Sequence, residues 1–260
     1  PEAYRDRRLH EEKSLKSRKL HPYGLGKEEA VREAIRKYDL PLSEAGITFE
    51  DLVNHSIAFI PRNYMYVYIS IQGVLEGRVK YVYHALTERD KTIRFLNVYP
   101  TEQCMIMNLD VRTDVSSSYT FERETSEGVC SIKVTITFDR PLRPNEETEI
   151  ELTYMIKDDI FSRKRDFLSR LYTEREGSVS FQSVANSLKV PLFATDLEVD
   201  YFGYVVKKME LVKALEVDDV GLPIKRELIK GKLFRTHEGG FSASFVPPVN
   251  YSTGVFYTLE

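Results

Sequence analysis

The sequence predicts a mainly β protein with an antiparallel, β-sandwich-like core, a small N-terminal helical region and one helical insertion. Apolar and polar residues alternate over much of the chain, which is typical of strands that bury one face. Strand candidates recur at intervals of roughly 10 to 14 residues without helices between them, as in sandwiches and barrels. The 16 tyrosines and 14 phenylalanines also suit half-buried pleated surfaces better than a helical bundle.

The first 60 residues are predicted to form a charged lead-in followed by short helices. Residues 1–21 are rich in Lys and Arg, which indicates a solvated segment or, as the alternative, a basic arm that contacts phosphate. Apolar residues at helical spacing predict an amphipathic helix over residues 27–38. Thr48 followed by Asp51 resembles a capping box and predicts a second helix that ends near His55. Since this helix carries acids and no Lys or Arg, it argues against a DNA-binding helix-turn-helix.

Residues 61–260 are predicted to form one β-rich domain, which can divide into sub-sheets at about 61–156 and 178–260. Alternation from Tyr64 onward, with ring or branched side chains on both faces, predicts a strand that is covered on both sides. The pair Gly239-Gly240 predicts a hairpin turn. The other strand candidates span residues 78–86, 92–98, 104–111, 117–124, 178–181, 196–201, 204–211 (which also fits a helix, as 205–217), 229–236, 240–245 and 254–259.

The clearest alternation lies on either side of a connection that contains Pro141 and Pro144. Proline cannot donate to a strand ladder, so the chain is expected to leave the sheet there. The preferred arrangement is a neighbouring antiparallel hairpin with an open loop, and the alternative is a crossing between two stacked sheets. In both arrangements one face of each flanking strand is buried, and the residues predicted there are Ile132, Val134, Ile136, Leu152 and Tyr154.

Charge and cysteine usage narrow the class of protein. The formal net charge of -3 gives no overall attraction to nucleic acid or to an anionic membrane. No stretch approaches the roughly 18 consecutive apolar residues of a membrane span. Cys104 and Cys130 form no CxxC pair and are expected to be buried thiols in a reducing compartment. We therefore expect a soluble, cytoplasmic protein.

The sequence contains no recognisable catalytic motif, so we predict no catalytic residues, no cofactor and no metal. The five histidines are widely scattered, without the close pairs that build local metal sites. Aspartates near strand ends suit turns better than acid-base pairs, because the Asp side chain bonds to the backbone that follows it. These aspartates are Asp90, Asp110, Asp114, Asp158 and Asp159.

One basic segment is the candidate binding site. Residues 157–176 combine apolar residues at helical spacing with clustered Lys and Arg, which predicts an amphipathic basic helix or an ordered crossover, with the helical insertion near residues 157–171. Cations that point outward would form a positive patch for an acidic protein surface or a phosphate backbone, unless the interleaved acids neutralise it. The candidate binding residues are Arg163, Lys164, Arg165, Arg170 and Arg175.

These observations favour a non-catalytic recognition or regulatory module that binds a protein or another ligand through loops or a sheet face. The first alternative is an enzyme whose site is assembled from dispersed carboxylates and histidines. The second is nucleic-acid binding through the basic segments. We expect a protein partner in preference to a nucleic acid.

Overall fold

The structure is a computed structural model that describes residues 26–70, 74–87, 92–99, 105–126, 129–157, 172–174, 177–201, 203, 205–217, 222–237 and 239–259. Within these residues the chain forms three helices, followed by sixteen strands in three sheets. The mainly β class predicted from the sequence is confirmed. None of the helices in this part of the chain is long and apolar enough to cross a membrane.

The N-terminal region consists of α1 (Lys27–Tyr38), α2 (Leu42–Ala45) and α3 (Phe49–Asn54). Helix α1 buries one apolar face, and acids in its first turn and bases in its last turn complement the helix dipole. Thr48 and Asp51 form the predicted capping box at the start of α3, where the Thr48 hydroxyl accepts the Asp51 N–H at 3.1 Å. Both predicted helices are therefore confirmed. A separate small apolar core beneath them joins the helices to the strands.

The strands follow in chain order. Their bounds are β1 (Ala58–Phe59), β2 (Asn63–Ile69), β3 (Val74–Ala85), β4 (Thr92–Tyr99), β5 (Met105–Thr113), β6 (Ser117–Ser126), β7 (Val129–Phe138), β8 (Glu147–Lys157), β9 (Tyr172–Glu174), β10 (Gly177–Ala185), β11 (Thr195–Tyr201), β12 (Val206–Val217), β13 (Pro223–Leu228), β14 (Gly231–Arg235), β15 (Phe241–Phe245) and β16 (Ser252–Leu259). The ambiguous stretch at 205–217 is a strand, and β14 and β15 form the predicted hairpin. The helical insertion predicted near residues 157–171 lies outside the described residues except for Lys157, which ends β8.

The largest sheet has eight strands in the order β14-β15-β11-β2-β3-β8-β5, with β1 paired to the end of β3. Neighbouring strands are antiparallel except β2 and β11, which run parallel. The sheet therefore unites strands from both of the ranges 61–156 and 178–260. Two smaller sheets complete the described fold, one of five strands in the order β13-β12-β16-β10-β9 and one of three in the order β4-β7-β6.

Strands β7 and β8 lie in different sheets, so the preferred hairpin is wrong and the alternative crossing between sheets is correct. The reason is that each of the two strands already pairs with a neighbour along both of its edges. Strand β8 has β3 on one side and β5 on the other, and β7 lies between β4 and β6, so neither has a free edge for the other. Leu142 in the connection is buried, which anchors the crossing in the core.

The predicted core residues are confirmed. Ile132, Val134 and Ile136 of β7 are buried, and so are Leu152 and Tyr154 of β8. All five belong to one apolar cluster, so the three-stranded sheet and the large sheet share a core. Complete burial of an aliphatic side chain of this size stabilises the fold by about 1.5 to 3 kcal/mol.

Cys130, in β7, forms a disulfide bond and is completely buried. The chain's other cysteine, Cys104, lies outside the described residues. No cysteine in the described part of the chain is a free thiol, so the expectation of two buried thiols is wrong. Alternation with apolar neighbours indicates that a cysteine is buried, but it does not distinguish a thiol from a disulfide, because both are apolar.

Candidate concave binding site on the large sheet

The face of the large sheet opposite the apolar core carries a concavity of about 810 Å³. In β2, Met65 and Val67 are buried on the core face, whereas Tyr64 and Tyr66 on the opposite face are only partly buried. The second face is therefore covered less completely than the sequence predicted. The volume lies within the roughly 300 to 1,000 Å³ that is usual for small-ligand sites.

The parallel pairing of β11 with β2 sets carboxylates beside tyrosines on this face. Alternate residues of a strand point to the same side and repeat at about 6.6 Å, so each strand contributes one stripe of side chains. We call the residues Asp196, Glu198 and Asp200 of β11 the carboxylate stripe. We call the residues Tyr64, Tyr66 and Tyr68 of β2 the tyrosine stripe. The neighbours in register are Asp196 with Tyr64, Glu198 with Tyr66, and Asp200 with Tyr68.

The next stripe, on β3, contains two cations that pair with carboxylates of β8. Arg78 Nη2 lies 2.8 Å from Glu151 Oε1, and Lys80 Nζ lies 3.1 Å from Glu149 Oε1. Glu76, the third member of the stripe, is exposed and forms no ion pair within the described residues. Both cations therefore have a carboxylate partner supplied by the protein itself.

Asp200 is the most buried carboxylate of the concavity, with 5% of its surface exposed. Its Oδ1 accepts a hydrogen bond from the Thr236 hydroxyl at 2.7 Å, and that hydroxyl in turn accepts the Gly240 N–H at 2.9 Å. A Cβ at Gly240 would lie 1.8 Å from the Val199 carbonyl oxygen, so the turn between β14 and β15 requires glycine there. This close turn brings Thr236 and His237 to the edge of the concavity.

A second polar cluster joins α1 to the large sheet. Glu147 Oε1 accepts hydrogen bonds from Lys37 Nζ at 2.5 Å and from the Tyr38 hydroxyl, and it lies 2.9 Å from His84 Nδ1. Burial raises the pKa of the Glu147 carboxyl, but the hydrogen bonds from His84, Lys37 and Tyr38 outweigh burial and lower its pKa to about 2. The adjoining cavity measures about 10 Å³, roughly the space of one water. This cluster is therefore a structural contact and not a ligand site.

The basic binding site predicted from the sequence lies outside the described residues and stays a prediction. This applies to Arg163, Lys164, Arg165, Arg170 and Arg175 alike.

Two of the predicted turn aspartates are described, and both contact the protein itself. Asp114 Oδ1 accepts the Thr148 hydroxyl at 2.7 Å and the Glu149 N–H at 2.9 Å, and Asp110 pairs with Arg112 at 2.9 Å. The remaining three lie outside the described residues: Asp90, Asp158 and Asp159. Across the described ranges there is no group of three or more His, Cys, Asp or Glu side chains suited to a metal ion.

The sequence does not identify the carboxylate and tyrosine stripes as one site. Each stripe is visible as an alternating pattern, at residues 196–200 and 64–68. Their adjacency depends on a parallel pairing between strands that are distant in the chain. Such a pairing leaves no local signal, because alternation specifies which face a residue occupies but not which strand lies beside it.

No protein-family profile and no curated protein matches the chain. Among solved structures, an M1 zinc metallopeptidase from Deinococcus radiodurans has 12% identity, with 78% of this chain and 42% of that chain covered and a TM-score of 0.31. A proposed nutrient binding protein from Legionella pneumophila has 8% identity, with 77% and 67% covered and a TM-score of 0.35. The chain spans less than half the length of the metallopeptidase. Scores this low do not indicate a shared function.

Proposed function

We propose that the protein is a non-catalytic recognition module that binds a partner in the concavity of the large sheet. The observation that carries this proposal is the concavity of about 810 Å³, whose lining combines tyrosines with ionisable side chains. These side chains project from paired strands of one sheet, so they are held in place before a ligand arrives. Polar groups that converge in a concavity of this size are typical of a binding site.

Catalysis is the second candidate, because Glu198, Asp200 and His237 line the same concavity. Carboxylates and histidines are the side chains that most often transfer protons in enzymes. Within the described residues His237 forms no hydrogen bond with either carboxylate, as a preassembled acid-base pair would. This favours recognition.

Fluorine NMR of protein that contains 3-fluorotyrosine tests where ligands bind. Members of a mixed library of peptides, sugars and nucleotides should shift the resonances of Tyr64 and Tyr66, which line the concavity. Tyr66→Ala should abolish this binding, whereas Tyr251→Ala, at an exposed tyrosine before β16, should leave it intact. Ligands that shift only Tyr251 would contradict the proposal. Chemical conversion of a library member, detected by mass spectrometry, would instead support the enzyme.

We also propose that the protein works in a compartment that permits disulfide bonds. The cytoplasmic location expected from the sequence depends on free thiols, and Cys130 is disulfide-bonded. Disulfides persist in oxidising compartments and are rare where cellular thiols keep cysteines reduced. Thiol titration of the denatured protein, isolated from its cells without reductant, should find neither Cys104 nor Cys130 free. Two reactive thiols would restore the cytoplasmic expectation.

A further inference from the structure

The concavity carries more negative than positive groups among the described residues that line it. Its lining includes the carboxylates of Glu76, Glu198 and Asp200 and one guanidinium, that of Arg78. Arg78 already has the Glu151 carboxylate at 2.8 Å. A recess with an excess of one sign of charge focuses the electric field, so this one attracts cationic groups.

The burial of Asp200 is a second indication of a cationic ligand. The residue is 5% exposed, and among the described residues its carboxylate accepts one hydrogen bond, from the neutral Thr236 hydroxyl at 2.7 Å. A carboxylate buried with a single neutral donor is unfavourable, because it has lost water without gaining an opposite charge. A ligand cation beside Asp200 would offset part of this cost.

The tyrosine stripe suits the same ligand. Tyr66 is the neighbour of Glu198 in register, and the Tyr64 hydroxyl lies 3.4 Å from Glu198 Oε2. The faces of tyrosine rings attract ammonium and guanidinium groups. A cation that reaches Glu198 therefore also lies within reach of aromatic rings.

We propose that the concavity binds an extended protein segment with basic side chains at alternate positions, Lys-X-Lys or its Arg equivalents, a proposal that rests on the recognition function above. Glu198 and Asp200 are alternate residues of β11, so their side chains repeat at about 6.6 Å. An extended peptide repeats the side chains of one face at the same distance. Two basic residues with one residue between them therefore match the two carboxylates in spacing and in charge.

Fluorescence anisotropy with labelled pentapeptides tests the ligand class. The probe is Ser-Lys-Thr-Lys-Ser, and the matched controls are Ser-Lys-Lys-Thr-Ser, in which the lysines are adjacent, and Ser-Glu-Thr-Glu-Ser. We expect the alternating peptide to bind about tenfold more tightly than the adjacent one, and the acidic peptide not to bind. The affinity of the alternating peptide should fall as salt is added. Equal affinity for all three peptides would overturn the proposal.

Substitutions in the full chain test which carboxylates contribute to binding of the alternating peptide. Glu198→Gln and Asp200→Asn should each weaken binding of the alternating peptide about tenfold, because each removes one matched carboxylate. Glu76→Gln should weaken binding of the alternating peptide by a smaller factor. Because Glu76 is exposed, this variant keeps the test valid if Asp200→Asn fails to fold. Glu216→Gln, at an exposed position of β12, is the matched control and should bind as the native protein does. Unchanged affinity in Glu198→Gln and Glu76→Gln would overturn the proposal.

Fluorine NMR separates failure of this inference from failure of the recognition function. If another library ligand shifts Tyr66 and the alternating lysine peptide does not, the inference is wrong and the recognition function stands. If the lysine peptide and every other library ligand that binds shift only Tyr251, both are wrong. Absence of binding by either lysine peptide also overturns the inference.

Discussion

Glu147 connects the N-terminal helices to the large sheet by contacts to one carboxylate oxygen, Oε1. Lys37 and Tyr38 at the end of α1 donate hydrogen bonds to it, and His84 of β3 approaches the same atom. The Glu147 side chain is 21% exposed, so these contacts are screened less than they would be at the surface. Glu149, two residues along β8, has a similar side-chain exposure of 23% but stands in a simple ion pair.

Glu147→Gln should lower the free energy of unfolding. It should also make that free energy less dependent on pH in the acid range. The pKa of Glu147 is lowered from 4.5 to about 2 in the folded protein, so the stabilisation is present above pH 4.5 and is lost as the pH falls towards 2. The linked free energy is of order 3 kcal/mol. Urea unfolding across this pH window should show a smaller loss of stability at acid pH in Glu147→Gln than in the native protein. A loss in Glu147→Gln as large as in the native protein would contradict the assignment.

Gly240→Ala should destabilise the turn between β14 and β15. The added methyl would lie 1.8 Å from the Val199 carbonyl oxygen, which belongs to the backbone of β11 and has little freedom to move. We expect a loss of about 1 to 3 kcal/mol in the free energy of unfolding, measured with urea. Gly26→Ala is the control, because no atom lies within 4 Å of a Cβ at that position. Similar stability in the two variants would mean that the turn relaxes around the methyl group.

At the scale of elements, β7 and β8 lie in different sheets that share one apolar core, and they do not pair edge to edge. Ile136→Ala and Leu152→Ala should each cost about 2 to 5 kcal/mol, because both side chains are buried in the shared cluster. Chemical denaturation measures this cost. Leu228→Ala on β13, where the residue is 74% exposed, should have almost no effect. A cost below about 1 kcal/mol for both core variants would mean that this core is not formed.

At the scale of the whole molecule, the disulfide adds a covalent constraint to the packing of the sheets. An intramolecular bond from Cys130 requires Cys104, the chain's other cysteine, and closing a loop of that length stabilises a fold by about 3 to 4 kcal/mol in the chain-entropy account. Dithiothreitol should therefore lower the urea midpoint of the native protein. Cys130→Ser should show the same lowered midpoint without reductant and no further change with it. An unaffected midpoint in the native protein would count against the bond.

Features that depend on near neighbours were predictable from the sequence. Thr48 and Asp51 are three residues apart, so the capping box and the helix after it follow from local hydrogen bonding. The buried faces of β7 and β8 follow from alternation, because a strand places every second side chain on one side. The mainly β class follows from many such local patterns.

The sequence by itself therefore determined the class, the helices that open the described chain and the core faces of the central strands. Only the tertiary structure decided that β7 and β8 belong to different sheets, that Cys130 is in a disulfide, and that β2 lies beside β11. The concave site exists because of that last pairing, which sets Glu198 beside Tyr66. Alternation fixes the face that a side chain occupies, whereas the choice of neighbouring strand is made by long-range pairing and packing, which no local pattern encodes.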